Sequence, residues 1–137
     1  LLKETLIGLE KGTITPVKQN DDEAGEYARM LTKDMGRIKF NQPAVVIERI
    51  IRGLNSWPGT YTYLDGKTLK IWSAQVLDRD YGCKYGMVAE VTPDSIIVAT
   101  GMGAIAIKEV QLQGKKRMDT ASFLRGYKIE KGKQLGI

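Results

Sequence analysis

Three cations in succession follow a glycine at Gly114-Lys115-Lys116-Arg117, and their chemistry is phosphate contact. Lysine offers a mobile point charge and arginine a planar fork of donors, both matched to a polyanionic backbone. A glycine-led turn after a strand presents them without helix or sheet constraint, and such contacts give affinity more than sequence choice. An exposed turn that is lysine-rich only because turns are exposed has the same pattern. A second basic group lies earlier: Lys70 and Trp72 share one face of a strand, with Lys67 close by at a hairpin. A basic strand with an aromatic is how small barrels hold single-stranded nucleic acid, by stacking plus phosphate contact.

Other chemistries are excluded by what is missing. The 137 residues contain no histidine, so triads and dyads built on imidazole and the usual zinc ligand sets are out of reach. Cys83 is the single cysteine, which forbids an internal disulfide and reads as a free, inert thiol. The acidic residues sit in a loop-like run, Asp21-Asp22-Glu23, or singly beside basic partners, an arrangement of solvated carboxylates rather than a general acid and base. Gly101-Met102-Gly103 lacks the third glycine opening a helix that a dinucleotide fingerprint needs, and is a hairpin turn. Gly114-Lys115-Lys116 lacks the upstream glycine of a phosphate loop, since position 109 is glutamate. No catalysis is expected from this chain, and no metal site.

Charge placement sharpens the picture. From Lys108 to Lys133 there are eight basic residues, including Arg125, against three acidic ones, a surplus equal to the whole net charge of +5. A field concentrated at one end fits a surface that meets polyanions, and a solvated basic tail is the bland counterpart. The length fits one domain with an appendage. No apolar stretch approaches the roughly 20 residues of a membrane helix, and a cytoplasmic location is expected.

The elements that must position these residues follow from periodicity. Leu2, Thr5, Leu6 and Leu9 predict an amphipathic helix over 1–11, closed by Gly12. Residues 12–42, with Pro16, the acidic run, Gly25 and Gly36, predict a linker with brief extended pieces. Ile47, Ile50, Ile51 and Leu54 form a helical stripe over 43–53, with Pro43 at the first helical position, Asn41 or Gln42 as cap, and Glu48 paired with Arg52. Trp57-Pro58-Gly59 then forces a turn. From Thr60 the pattern is β: strands over 61–64, 68–76, 87–91, 95–100 and 104–112, with an Asp65-Gly66 hairpin and a Pro93-Asp94 turn. Asp119 caps one helical turn. The expected fold is mainly β with flanking helices (α+β): a small open Greek-key, OB-like barrel preceded by a linker and a helix, the barrel occupying 43–137.

Several ordered blocks carry a resemblance: Gly12-Thr13-Ile14-Thr15-Pro16, Leu31-Thr32-Lys33, Arg52-Gly53, Trp57-Pro58-Gly59, Val98-Ala99-Thr100-Gly101 and Gly114-Lys115-Lys116. Together they resemble the C-terminal domain of the methionyl-tRNA formyltransferase family, over almost the whole chain. One departure is Lys39-Phe40, where the family commonly has an aspartate and a tryptophan. The resemblance implies a parent enzyme moving a formyl group from 10-formyltetrahydrofolate to initiator methionyl-tRNA, with the catalytic residues and the folate site upstream of Leu1. It implies that this chain docks tRNA by shape and backbone, through Lys33 and Arg37 in the linker and Lys67, Lys70, Lys115, Lys116, Arg117 and Arg125 in the barrel. It makes Trp72 a core residue and Trp57 a packing anchor for its turn. It makes residues 1–11 the last helix of an absent N-terminal catalytic domain, whose exposed leucines invite a non-native dimer. An accessory domain of another folate-dependent formyltransferase or hydrolase, or a purely structural interaction module, are the alternatives.

Overall fold

The computed structural model describes residues 1–136 apart from Gln19, Ala24 and Glu26. The chain divides into two compact units, Leu1–Met30 and Leu31–Ile137. In the first, α1 spans Leu2–Glu10. Gly12, at φ 66°, ends it with a Schellman closure, Thr13 N–H donating to the Gly8 carbonyl at 2.8 Å and Gly12 N–H to Leu9 at 3.2 Å. Gly8 is buried against Ile14, while Leu2, Leu6 and Leu9 stay exposed. A short 3₁₀ turn covers Asp21–Glu23.

The second unit is an antiparallel sheet with two helices. Its strands are β1 (Thr60–Leu64), β2 (Lys67–Leu77), β3 (Val88–Val91), β4 (Ile96–Ala99), β5 (Ala104–Leu112) and β6 (Met118–Asp119). The order is β1-β2-β5-β4-β3, with β6 also on β5. Strands β3, β4 and β5 run as a meander and β2 returns beside β5, which is a Greek key. The sheet is open and does not close into a barrel. Its edges are β1 and β3, and the C-terminal segment bonds to both: Gly136 N–H donates to Tyr63 at 2.9 Å, Leu135 N–H to Gly86 at 2.8 Å, and Val88 N–H to Lys133 at 2.7 Å.

Hairpin chemistry at β1–β2 is as expected. Asp65 and Gly66 adopt φ 51° and 72°, the pair of positive values that a two-residue turn requires. The β1 residues Thr60, Thr62 and Leu64 face the core, and Tyr61 and Tyr63 face away. Strand β4 is buried at every position because both its faces are covered. One face joins the main core; the other joins Ala89, Ile97, Ala104 and Ala106, against which Cys83 packs.

Helix α2 spans Ala44–Gly53 and lays Ile47 and Ile51 on β2 and β5. Pro43 is its N-cap rather than its first residue, and neither Asn41 nor Gln42 caps it; the Ala44 N–H instead donates to the Met102 carbonyl at 2.9 Å. Tertiary bonding thus replaces the side-chain cap. The segment before α2 is not free of the sheet: Ile38 and Phe40 are core residues, and Ile38 N–H donates to Tyr61 at 2.9 Å. Gly36 has no room for a side chain, since a Cβ there would lie 2.0 Å from the Gly59 carbonyl oxygen.

Two elements differ from expectation at the C-terminal end. The short strand β6 is unforeseen, two residues being too few for a periodic signal. Helix α3, Thr120–Gly126, runs two turns rather than one. Asp119 caps it by accepting from Ser122 N–H at 2.7 Å, and the buried Thr120 hydroxyl donates to Ile107 at 3.0 Å. Tyr127 stacks on Phe123 at 5.2 Å and donates its hydroxyl to Asp65 at 2.7 Å, where Lys133 also pairs.

Two predictions follow from this packing. Truncating the fully buried Ile107 to alanine should cost about 3 kcal/mol of unfolding free energy, and Gly36→Ala should destabilise by about 1–3 kcal/mol through backbone overlap; denaturant titration measures both. Acidification should also destabilise the protein. The Lys133 and Tyr127 bonds hold Asp65 below the usual carboxylate range, the Lys108 and Thr92 bonds do so for Asp94, and the Ser122 backbone bond for Asp119. With folded values depressed, their contribution is complete above the unfolded value near about 4 and is lost as pH falls through the folded values. Melting temperature should therefore hold from neutral pH to about 5 and decline below about 4; a flat profile there would contradict the bonds.

Candidate nucleic-acid interface

On the outer side of β1 and β2 a strip of alternating aromatic and basic side chains is built contact by contact. The short 3₁₀ turn Lys33–Gly36 leads into Arg37, which bridges to Tyr61 and sets its guanidinium 5.6 Å from the Tyr63 ring. Tyr63 meets Tyr61 edge to face at 5.9 Å. Across the ladder Tyr61 faces Lys70, which faces Gln111 on β5. The Lys70 ammonium lies 5.8 Å from the Trp72 ring, and Arg117 sits 4.6 Å from the same ring.

A bulge adjoins Trp72. Ile71 pairs with Val110 and Ser73 with Glu109, leaving Trp72 as the extra residue on β2, while Lys108 is the extra residue on β5. With Leu69 and Ile71 buried, alternation turns Trp72 to the outer face beside Lys70, half-buried and outside the core cluster, contrary to expectation. Its Nε1 is buried and lacks a hydrogen-bond partner. Trp57 likewise is no packing anchor, being 61% exposed.

The turn that carries Lys115 and Lys116 is pinned beside the hairpin that carries Lys67. Gln113 N–H donates to the Thr68 carbonyl at 2.8 Å, Thr68 N–H donates to the Gln113 side chain at 3.1 Å, and Gln111 Nε2 donates to the Lys115 carbonyl at 3.1 Å. Gly114 takes φ 76° in open space. Lys67, Lys70, Lys115 and Lys116 are exposed and form no ion pair among the described residues. Backbone pairing therefore brings Lys67, Lys70, Lys115, Lys116 and Arg37 to one region, with Lys33 on the adjoining 3₁₀ turn.

The C-terminal charge surplus is not one continuous field. Lys108 pairs with Asp94 at 2.7 Å, Lys128 with Glu130 at 2.7 Å, and Lys133 with Asp65. Arg117 grips Glu109 through two bonds of 2.7 and 2.5 Å, which hold the carboxyl below and the guanidinium above their ordinary pKa values. Arg125 stands apart: it donates to Ser122 Oγ at 2.7 Å and lines a hollow with Pro93 and Lys128.

Beside the strip, between α2 and the bulge, lies a recess of about 330 Å³ whose wall includes Glu48, Arg52, Asn55, Trp72, Glu109 and Arg117. Arg52 Nε donates to Glu48 at 3.2 Å, as the helical spacing predicts, and Asn55 Nδ2 donates to the Trp72 carbonyl at 3.3 Å. Sequence reasoning missed this recess and the two tyrosines. The period-2 pattern Thr60-Tyr61-Thr62-Tyr63 could have placed both rings outward; the recess depends on a bulge that leaves no local signature.

Residues 30–128 match the family model described as formyl transferase, C-terminal domain. Methionyl-tRNA formyltransferase of Lachnospira eligens is 51% identical, covering 99% of this chain and 44% of that protein. The enzyme of Agathobacter rectalis is 48% identical, covering 96% of this chain and 42% of that protein. This chain thus spans less than half the length of those relatives. Among solved structures, HypX from Aquifex aeolicus superposes with a TM-score of 0.60 at 20% identity, over 94% of this chain and 24% of that one. HypX in complex with tetrahydrofolic acid gives 0.57 at 18% identity, over 96% and 25%. Likeness at that identity speaks for the fold alone. With the family model spanning most of its length, the chain belongs to the formyl transferase C-terminal domain family.

Proposed function

We propose that this chain is the tRNA-docking part of a methionyl-tRNA formyltransferase, a cytoplasmic translation-initiation enzyme. The whole enzyme transfers a formyl group from 10-formyltetrahydrofolate to initiator methionyl-tRNA; this part contributes affinity and orientation, not bond making. The 51% identity to the Lachnospira eligens enzyme supports the assignment, and among the described residues no helix is long and apolar enough to cross a membrane. Residues 1–11 act as the terminal helix of the catalytic half, 12–42 as the connecting segment, and 43–137 as the docking domain, onto which Ile38 and Phe40 fold.

The observation that carries the docking role is the strip from Arg37 through Tyr63, Tyr61 and Lys70 to Trp72, beside the uncommitted Lys67, Lys115 and Lys116. Cations without internal partners release condensed counterions on meeting phosphates. Lys33 extends the line along the RNA. Arg117 serves as a second-rank contact because Glu109 already holds it, and Arg125 as a peripheral one. The folate donor belongs to the part of the relatives outside this chain: in the recess beside Trp72 both arginines are engaged by carboxylates, a poor seat for a polyanionic cofactor.

Two measurements check this reading. Binding of initiator tRNA should weaken steeply with salt, and Lys115→Ala with Lys116→Ala should flatten the log–log slope by about two, whereas Arg125→Ala changes it less; identical slopes for wild type and the lysine double variant would refute the interface. Separately, the exposed leucines of α1 support self-association of the isolated chain. Sedimentation at rising concentration should show dimers that disappear when residues 1–11 are removed, and persistence of dimers would discard that role for α1.

A further inference from the structure

The recess between α2 and the β2–β5 bulge differs from the rest of the strip in its electrostatics. The charged residues on its wall are Glu48, Arg52, Glu109 and Arg117, and they form two internal ion pairs. A phosphate entering it would meet as much negative as positive charge, so the recess is not an anion site. Its hydrogen-bonding capacity is nevertheless unfilled. Glu48 engages Arg52 through Oε1 alone, and its side chain remains 25% exposed. Asn55 uses its amide nitrogen on the Trp72 carbonyl, leaving its side-chain oxygen as an acceptor. The Arg117 guanidinium, lying over the Trp72 ring, completes the wall.

A neutral, planar molecule with adjacent donors along its edge and a flat face satisfies these groups. We infer that the recess receives one unpaired nucleobase of the docked RNA, with guanine preferred. Unpaired bases are held by stacking on aromatic rings or arginine planes and by hydrogen bonds to their Watson–Crick edge. Guanine sets N1–H and its exocyclic amine toward Glu48 and lays its ring against the Arg117 plane. Arg117 is then a positioning residue: Glu109 fixes its plane over Trp72, and the neighbouring Lys70, Lys115 and Lys116 take the flanking phosphates. This inference rests on the docking role and adds to it a contact that depends on base identity.

Trp57 lies outside the recess wall and is exposed, so Trp57→Phe leaves Trp72 as the sole tryptophan reporter. Titration of that variant with GMP should quench Trp72 fluorescence saturably, with AMP, CMP and UMP weaker and ribose 5-phosphate silent. N1-methyl-GMP, or GMP with Glu48→Gln, should bind about tenfold more weakly, the loss expected for a disrupted two-point base contact; the methylated ligand gives the answer even if the glutamine variant is unstable. Raising salt should weaken GMP binding, with its single phosphate, far less than it weakens tRNA binding. Equal responses to GMP and ribose 5-phosphate, or none to either, would overturn the nucleobase site and leave docking intact if tRNA still binds with a steep salt slope. Absence of tRNA binding would overturn the docking role itself, whatever GMP does.

Discussion

Strand β5 is the constraint on which the second unit depends. It bonds to β2 on one side and to β4 and β6 on the other, and both α2 and α3 pack on it. Its first four residues are buried, and later Val110 and Leu112 continue inward while Glu109 and Gln111 turn out. One strand therefore holds the core and also supplies the groups that order the outer surface. Gln111 fixes the Lys115 carbonyl, Glu109 fixes Arg117, and both are set by the register that places Val110 opposite Ile71. A slip of one residue would reverse every one of these directions.

The irregularity within this ladder matters as much as its regular part. Opposed bulges at Trp72 and Lys108 let the two strands return to register by Ala74 and Ile107. Beside them the half-buried Trp72 ring lies on the outer face under Arg117. The surface thus contains two kinds of cation. Arg117 is immobilised by a carboxylate and covers a ring; Lys115 and Lys116 stand on a turn with no partner among the described residues. The first suits shape-dependent recognition, the second salt-dependent attraction.

Most of the fold was legible in the residues. The leucine period gave α1, the Ile47, Ile50, Ile51 stripe gave α2, and Asp65-Gly66 gave the first hairpin, because each depends on local chemistry. What escaped depends on distant parts of the chain. The N-terminus of α2 is capped by Met102, far along the sequence, so no side-chain cap signalled it. β6 exists only because β5 offers Glu109 and Val110 as partners. That the sheet is open was expected, but how far it curls is a matter of strand tilt that alternation does not encode. At the interface, residue types located the cations but not their commitments: nothing local distinguishes Arg117, which is held, from Lys116, which is not.

The last residues of the chain have a bearing on solubility. Gly132 to Gly136 bond to Val88 and Gly86 beside one sheet edge and to Tyr63 on the other, and Leu135 is buried beneath. Unpaired edges are templates on which foreign strands grow. By fastening to both margins, this terminal strap gives a sheet that never closes some of the protection a continuous cylinder has. A chain trimmed before Gly132 would lose that shield and expose two sticky borders at once.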